Sequence, residues 1–387
     1  MDKVIVGIIG YGNMGSAHAN RIFKGDIDRM ELGAICDIDP AKIEKAKKAY
    51  GDSVLYFADY KEMLKCGKIN AVIVATPHYF HPQMVIDSFE ADMNVICEKP
   101  AGVYTKQVLA MNAAAEKHGK VFSMMYNQRT NPLYAKARDL IQKGELGDLK
   151  RMVWIITNWF RTQSYYDSGT WRSTWEGEGG GVLINQNPHQ LDLWQWICGV
   201  PSKIHSHCYY GKWHDIEVED DVTVFAEYDN GMTATFITST GEAPGTNRLE
   251  ISGTKGKIVI ENDTLKFWQN KMDDVKFIKE VPEAFGTPEL WEIKVPVGKA
   301  PENQHNGILK NFTEAVLDGK ALLAPGIEGI NGLNISNAIH MSSWTGETVS
   351  LPVDPDKFYA LLQDKIANST VVKKEAKATK VDMDSSF

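Results

Sequence analysis

The chain opens on a short, branched, apolar run, Val4-Ile5-Val6-Gly7-Ile8-Ile9, of the kind that forms a strand buried on both faces of a parallel sheet. Similar runs return at 32–36, 71–75, 94–97 and 121–126. Between them, the residues after Gly15 through Ile22, then 82–91 and 105–118, tolerate helical periodicity. Asp39-Pro40 reads as an N-cap followed by proline at the first helical position, and Ile43, Ala46 and Tyr50 give that next helix one less polar stripe. The alternation predicts a parallel sheet with crossover helices.

The first strand runs straight into Gly10-Tyr11-Gly12-Asn13-Met14-Gly15, a GxGxxG turn between strand and helix. The first glycine permits the tight turn, the second leaves room for a pyrophosphate, and the third lets helix and strand pack closely. Free amides at the helix start face the phosphates. Asp37 closes the second strand about twenty residues later, where a carboxylate accepts hydrogen bonds from adenosine ribose hydroxyls and repels a 2′-phosphate. Residues 1–126 are therefore expected to form a Rossmann dinucleotide-binding domain holding NAD. Loops at the C-terminal ends of its strands should line the cleft. They add Ala75-Thr76-Pro77-His78, Glu98-Lys99-Pro100 and Asn127-Gln128-Arg129.

Beyond Arg129 the pattern changes. A helix is predicted over 132–143, then strands over 149–159, 204–208, 221–228, 233–239, 248–252, 257–260 and 264–268. Turn signals such as Asp229-Asn230-Gly231 and Gly253-Thr254-Lys255-Gly256 separate them, so a large, mostly antiparallel open sheet is expected. Segments 189–197, 306–317 and 327–343 predict helices on one of its faces. The fold class is thus α/β, with a C-terminal α+β domain over 127–362 for substrate binding and oligomerisation. The other sheet face needs a cover, and a second copy of the chain would supply it, which makes a homo-oligomer the expectation. Residues 363–387 read as a polar, lysine-rich tail.

Composition narrows the partners. A formal net charge of -8 argues against nucleic acid or an anionic membrane surface. Five cysteines, with no close CxxC pair, suit reduced thiols in a cytoplasmic protein. The N-terminus lacks a basic leader, and no stretch reaches the roughly 18 apolar residues of a membrane span. No HExxH, calcium loop or cysteine-histidine cluster stands in the sequence, and His205 with His207 lacks a third ligand, so no metal is expected.

Four separated motifs coincide: the glycine turn with Asp37, Thr76-Pro77 followed by His81, Glu98-Lys99-Pro100, and Gly179-Gly180-Gly181-Val182-Leu183-Ile184-Asn185-Gln186-Asn187-Pro188-His189-Gln190-Leu191-Asp192. Together they resemble the glucose-fructose oxidoreductase, inositol dehydrogenase and rhizopine catabolism (Gfo/Idh/MocA) family over nearly the whole chain. The stretch Trp171-Arg172-Ser173-Thr174-Trp175 is similar to members that oxidise pyranosides at C3, among them levoglucosan dehydrogenase and a gut bacterial oxidoreductase acting on C-glycosides such as puerarin. The resemblance implies that Lys99 is the active-site lysine and that His189 faces the reacting hydroxyl. It also implies roles near the substrate for His305 and Asn306. Asn185 stands where many members have an aspartate.

These residue types suit oxidation of a secondary alcohol. An imidazole, with an ordinary pKa near 6.5, can take the hydroxyl proton, and an ammonium can stabilise the developing alkoxide. If the intervening segment is helical, Asn185 shares a face with His189, and its amide oxygen can orient the imidazole. Tyr126, Arg129, Trp171, Arg172 and Trp175 are candidates to contact a sugar, and Asp192 reads as an orienting group. The leading expectation is NAD-dependent oxidation of the C3 hydroxyl of a glucoside or related pyranose, with a separate lyase acting on the keto product as a further partner. Glycoside cleavage or epimerisation with internally recycled NAD is a second reading. A non-enzymatic NAD- and sugar-sensing protein is a third.

Overall fold

The computed structural model describes residues 2–299 and 303–371. A six-stranded parallel sheet contains β1 (Val4–Ile9), β2 (Met30–Cys36), β3 (Leu55–Phe57), β4 (Ala71–Val74), β5 (Asn94–Cys97) and β6 (Phe122–Met124), in the order β3-β2-β1-β4-β5-β6. The strand order, not the strand direction, reverses between β1 and β4, beside the glycine turn. Both faces are dry: Val4, Val6, Ile8, Ala71, Val72, Ile73, Val95 and Ile96 are fully buried. That is why these strands read as unbroken apolar runs.

The second sheet has nine strands: β7 (Leu149–Ile156), β8 (Lys203–Tyr210), β9 (Glu219–Glu227), β10 (Thr233–Ser239), β11 (Asn247–Gly253), β12 (Gly256–Glu261), β13 (Thr264–Asn270), β14 (Leu290–Ile293) and β15 (Val349–Ser350). Their order is β14-β13-β12-β11-β7-β10-β9-β8-β15, and the β7–β10 pair alone is parallel. Alternation is clean: Val222, Val224 and Ala226 face the core while Thr223, Phe225 and Glu227 face outward. The helices Pro188–Cys198 and Gly329–Thr345 cover the inner face, with Trp194 stacked on Phe236 at 5.7 Å. The outer face presents Tyr209 and Phe225, each about half exposed. The expected architecture, a Rossmann-type parallel sheet followed by an open, mostly antiparallel one, is the architecture observed.

Several details differ. The helix expected over 306–317 runs Gln304–Asp318 but packs on the first core, through Ile308, Leu309 and Phe312, instead of covering the large sheet. Its apolar stripe fixes that a face is buried, not which sheet buries it. The short strands β3, β14 and β15 and the helix Asp274–Glu280 escaped prediction because each is too short to show a period. Residues 363–367 are not tail: Asp354 caps a helix Pro355–Ala367 that buries Phe358 and Leu362. The rest of the expected tail, from 372 onward, lies outside the described residues.

Candidate active site

The glycine turn has the geometry a dinucleotide needs. Gly10 sits at φ +94, and a Cβ there would lie 2.7 Å from the Ala75 oxygen. At Gly15 a Cβ would come within 1.9 Å of the Gly10 oxygen, whereas one at Gly12 would meet no protein atom within 4 Å. The helix Asn13–Phe23 begins there with no side-chain cap, which leaves its first amides free for an anion. Asp37 is buried: its Oδ2 accepts the Tyr11 amide at 2.7 Å and its Oδ1 accepts the Asp39 amide at 2.9 Å. Carboxylate oxygens accept more than one bond, so ribose hydroxyls can still be received. Lys42 approaches the same carboxylate at 3.3 Å. The Tyr11 ring lies in the core, its hydroxyl 3.1 Å from that of Tyr50. Asn13 is exposed and Met14 partly buried at the turn, and Ala75, Thr76 and Pro77 form the facing loop.

The turn after β5 is tied to this region. Glu98 is buried and its Oε1 lies 2.6 Å from Nε2 of His18, which sits on the buried face of the glycine-turn helix. Burial alone would push the Glu98 carboxyl up, but the His18 bond, together with the charges of His18, His305 and Lys99, outweighs it and brings the carboxyl down to about 2. His305 packs against His18 with ring centroids 5.7 Å apart, and burial holds its imidazole down at about 3. The next residue, Lys99, donates from Nζ to the main-chain oxygen of Asn185 at 2.8 Å. Its pKa is lowered by burial, against the opposing pull of Glu98.

His189 occupies the first turn of Pro188–Cys198, is buried, and its Nδ1 has no hydrogen-bond partner. Burial, then Lys99 and His305, hold its pKa well below 6.5. The imidazole is therefore neutral at physiological pH, under a much larger environmental shift than the sequence suggests. Tyr126 stands edge-on to it at 6.4 Å.

Asn185 is placed differently from expectation. The helix begins at Pro188, so Asn185 lies in the turn ahead of it and does not share a helical face with His189. Its side chain turns instead to Glu178, which accepts from Asn185 Nδ2, and to Tyr165, whose hydroxyl donates to Asn185 Oδ1 at 3.2 Å. Arg172 Nη1 donates to the same Tyr165 hydroxyl at 3.0 Å, and the guanidinium lies over both the Tyr165 and Trp171 rings at 4.8 and 4.7 Å. Trp171 in turn packs edge-on to His78 at 5.5 Å.

Other expected site residues serve the scaffold. Arg129 is fully enclosed: Asp192 takes Nε and Nη2 at 2.8 and 2.6 Å, while Leu323 and Glu328 take Nη1 at 3.0 and 2.6 Å. Such a guanidinium is committed to a buried ion pair and does not reach a substrate. Asp192, expected as an orienting group, is the carboxylate that pairs with Arg129. Trp175 is core, edge-on to Tyr210, His340 and Trp344. Both nitrogens of His81 face carbonyls, of Pro100 at 2.8 Å and Thr76 at 2.7 Å, so it braces two cleft loops instead of presenting a free edge. Gln128 accepts from Gln190 at 3.1 Å, whereas Asn127 keeps a buried Oδ1 without a partner.

His18, Tyr165 and Glu178 were missed. His18 had a signal, since Gly15, His18, Ala19 and Ile22 follow helical spacing on the buried face. For Glu178 the signal was one of two acidic residues, Glu176 and Glu178, at the head of a glycine run. Tyr165 had none.

The sequence profile described as "Oxidoreductase family, NAD-binding Rossmann fold" matches residues 4–126, and that of the "GFO/IDH/MocA C-terminal domain" matches residues 134–259. Together they span well over half of the chain, which belongs to the Gfo/Idh/MocA oxidoreductase family and binds NAD(H). The "Uncharacterized oxidoreductase YrbE" of Bacillus subtilis is 24% identical over 360 residues, covering 90% of this chain and 97% of that one. Levoglucosan dehydrogenase of Pseudarthrobacter phenanthrenivorans is 24% identical over 292 residues, covering 67% and 74%. Among solved structures, the WlbA dehydrogenase of Chromobacterium violaceum in complex with NADH and UDP-GlcNAcA superposes with a TM-score of 0.78 at 26% identity, covering 92% and 97%. Among the described residues no helix is long and apolar enough to cross a membrane, and no group of three or more His, Cys, Asp or Glu side chains could hold a metal ion.

Proposed function

We propose that this protein oxidises the C3 hydroxyl of a glucoside or related pyranose to the 3-keto sugar, with His189 as base and Lys99 stabilising the alkoxide. The observation that carries the reading is the 2.8 Å bond from Lys99 to the Asn185 oxygen, which anchors the ammonium on the segment leading into the buried, neutral His189. Gly10, Gly12, Gly15, the amides of the following helix and Asp37 would hold the dinucleotide, which when bound supplies the hydride acceptor. His189 takes the hydroxyl proton, and Lys99 donates a hydrogen bond to the same oxygen as it gains charge. That negative charge in turn favours the imidazolium, offsetting the burial that keeps the ring neutral at rest. Arg172, Trp171 and Tyr165 offer donors and ring faces of the kind that recognise a sugar.

The names of two relatives fit: a levoglucosan dehydrogenase, and a dehydrogenase solved with a nucleotide-linked sugar acid. A second copy of the chain covering the outer face of the nine-stranded sheet belongs to the same reading, and light scattering on the purified protein tests it. The main test incubates protein and NAD with a panel of glucosides and identifies products by mass and NMR. A 3-keto sugar is the expected product; its absence from every substrate, with NAD demonstrably bound, removes the proposal.

A further inference from the structure

Glu178 is only 2% exposed, yet it lies in no bidentate ion pair; Arg172 approaches no closer than 3.8 Å. A buried carboxylate is costly unless its oxygens are satisfied. Here Oε2 accepts the Ser173 amide at 2.5 Å and Oε1 accepts from Asn185 Nδ2. The carboxamide of Asn185 has one donor end and one acceptor end. With the donor end on Glu178, the acceptor end faces the Tyr165 hydroxyl, and the main chain of the same residue carries the oxygen that receives Lys99.

We propose that Glu178 is a positioning residue of this site: by accepting from both Ser173 and Asn185 it fixes the turn whose main-chain oxygen anchors the Lys99 ammonium. The role rests on the reading of Lys99 given above. Charge works in the same direction, because Glu178 favours the cationic form of Lys99 while Arg172 and Arg161 oppose it. The charged and titratable groups facing Glu178 are Arg172 on its own loop, Lys99 on the turn after β5, His78 on the loop after β4, Glu219 on β9, and Tyr165 and Tyr166 on the helix Gln163–Asp167. Burial raises the Glu178 carboxyl itself, with Arg172 and its two hydrogen bonds pulling the other way.

The arrangement has a reciprocal test. In Glu178→Gln an amide must meet two donors with one acceptor, so either one of its own N–H groups is turned against Ser173 or Asn185, or Asn185 flips and loses the bond that its Oδ1 accepts from Tyr165. Adding Asn185→Asp reverses the polarity: the introduced amide then donates to the new carboxylate, keeps its oxygen on Ser173, and the charge of the pair is restored. Lys99 is read directly by the pH dependence of its acetylation by acetic anhydride, followed by peptide mass spectrometry on the full-length protein. We expect E178Q to lower the Lys99 pKa by about one unit, as loss of a nearby opposite charge does. It should also lower kcat about tenfold or more with a shifted pH profile, the scale of a misplaced catalytic group. E178Q/N185D should recover most of both.

An unchanged Lys99 pKa in E178Q overturns the proposal, as does a double variant that folds with the wild-type Tm yet leaves the pKa lowered. Should E178Q fail to fold, the double variant decides alone: a wild-type Lys99 titration supports the role and a lowered one defeats it. Because the titration needs no sugar, failure of the oxidation reading shows separately, as absence of product from the wild type.

Discussion

The Lys99 ammonium donates to the main-chain oxygen of Asn185 across the cleft, at 2.8 Å. One residue leaves the parallel sheet and the other leads into the helix that starts the second layer, so the bond spans the two sheets where the site forms. What Lys99 does for chemistry can therefore be separated from what the glycine turn does for binding.

Replacing Lys99 by alanine should cost turnover and spare cofactor affinity. We expect kcat to fall roughly 10²- to 10³-fold, the scale of removing one preorganised donor to an oxyanion. NADH fluorescence titration should give an unchanged Kd; an equal loss in both would place Lys99 in cofactor binding.

The glycines divide in the same way. Gly15→Ala forces a Cβ onto the Gly10 oxygen, so both Tm and NAD affinity should drop. Gly12→Ala meets no protein atom, so the free protein should keep its Tm while NAD binding weakens. Thermal melts with and without NAD separate the two outcomes, and an unaltered Kd in Gly12→Ala would remove the pyrophosphate from that position.

The acid limb of activity should lie low. His189 is held well below 6.5 by burial and by Lys99, so it remains a neutral base as pH drops through 6.5, and kcat/KM should stay flat there. Lys99→Met removes one of those causes, and the limb should move up in pH. A wild-type limb at 6.5 or above would contradict the assignment of His189.

Stability should respond to acid in two windows. His78, His189 and His305 are buried with lowered pKa values, so the unfolded chain binds protons first, and their contribution declines once pH falls below about 6.5. Glu98, lowered to about 2 despite burial by its His18 bond and the charges of His18, His305 and Lys99, contributes fully above 4.5, and that contribution is lost as pH falls towards 2. Urea unfolding between pH 8 and 2 should show the first decline before the second.

Arg129→Met should unfold the protein more readily, by about 3–5 kcal/mol, since it strands the Asp192 carboxylate inside the core. Urea midpoints measure it. In whatever fraction stays folded, KM for the sugar should hardly move, whereas a selective rise in KM would return Arg129 to the substrate.

Much of this was legible in the order of residues, and the reasons are physical. The glycine turn and Asp37 could be read because a phosphate-binding turn constrains consecutive residues, each by a separate steric or electrostatic demand. Val222, Val224 and Ala226 could be read because a half-buried strand repeats every second residue. Arg129 could not be told from a substrate ligand, since the same guanidinium suits either, and only its enclosure by Asp192 and Glu328 decides. Glu178 lies in irregular backbone and Tyr165 in the five-residue helix Gln163–Asp167, too short for a period to report which way a side chain turns. Trp175 sat in a polar, glycine-flanked loop and reads as exposed, yet Trp344 and His340 close over it from a helix far along the chain.

The short contact between Glu98 and His18 has a mechanical meaning. Lys99 is the immediate neighbour of a side chain fastened to the helix that rises from the glycine turn. That helix and the backbone that carries Lys99 are therefore held to each other through one imidazole and one peptide link. Two segments far apart in the chain thus share one buried fastening.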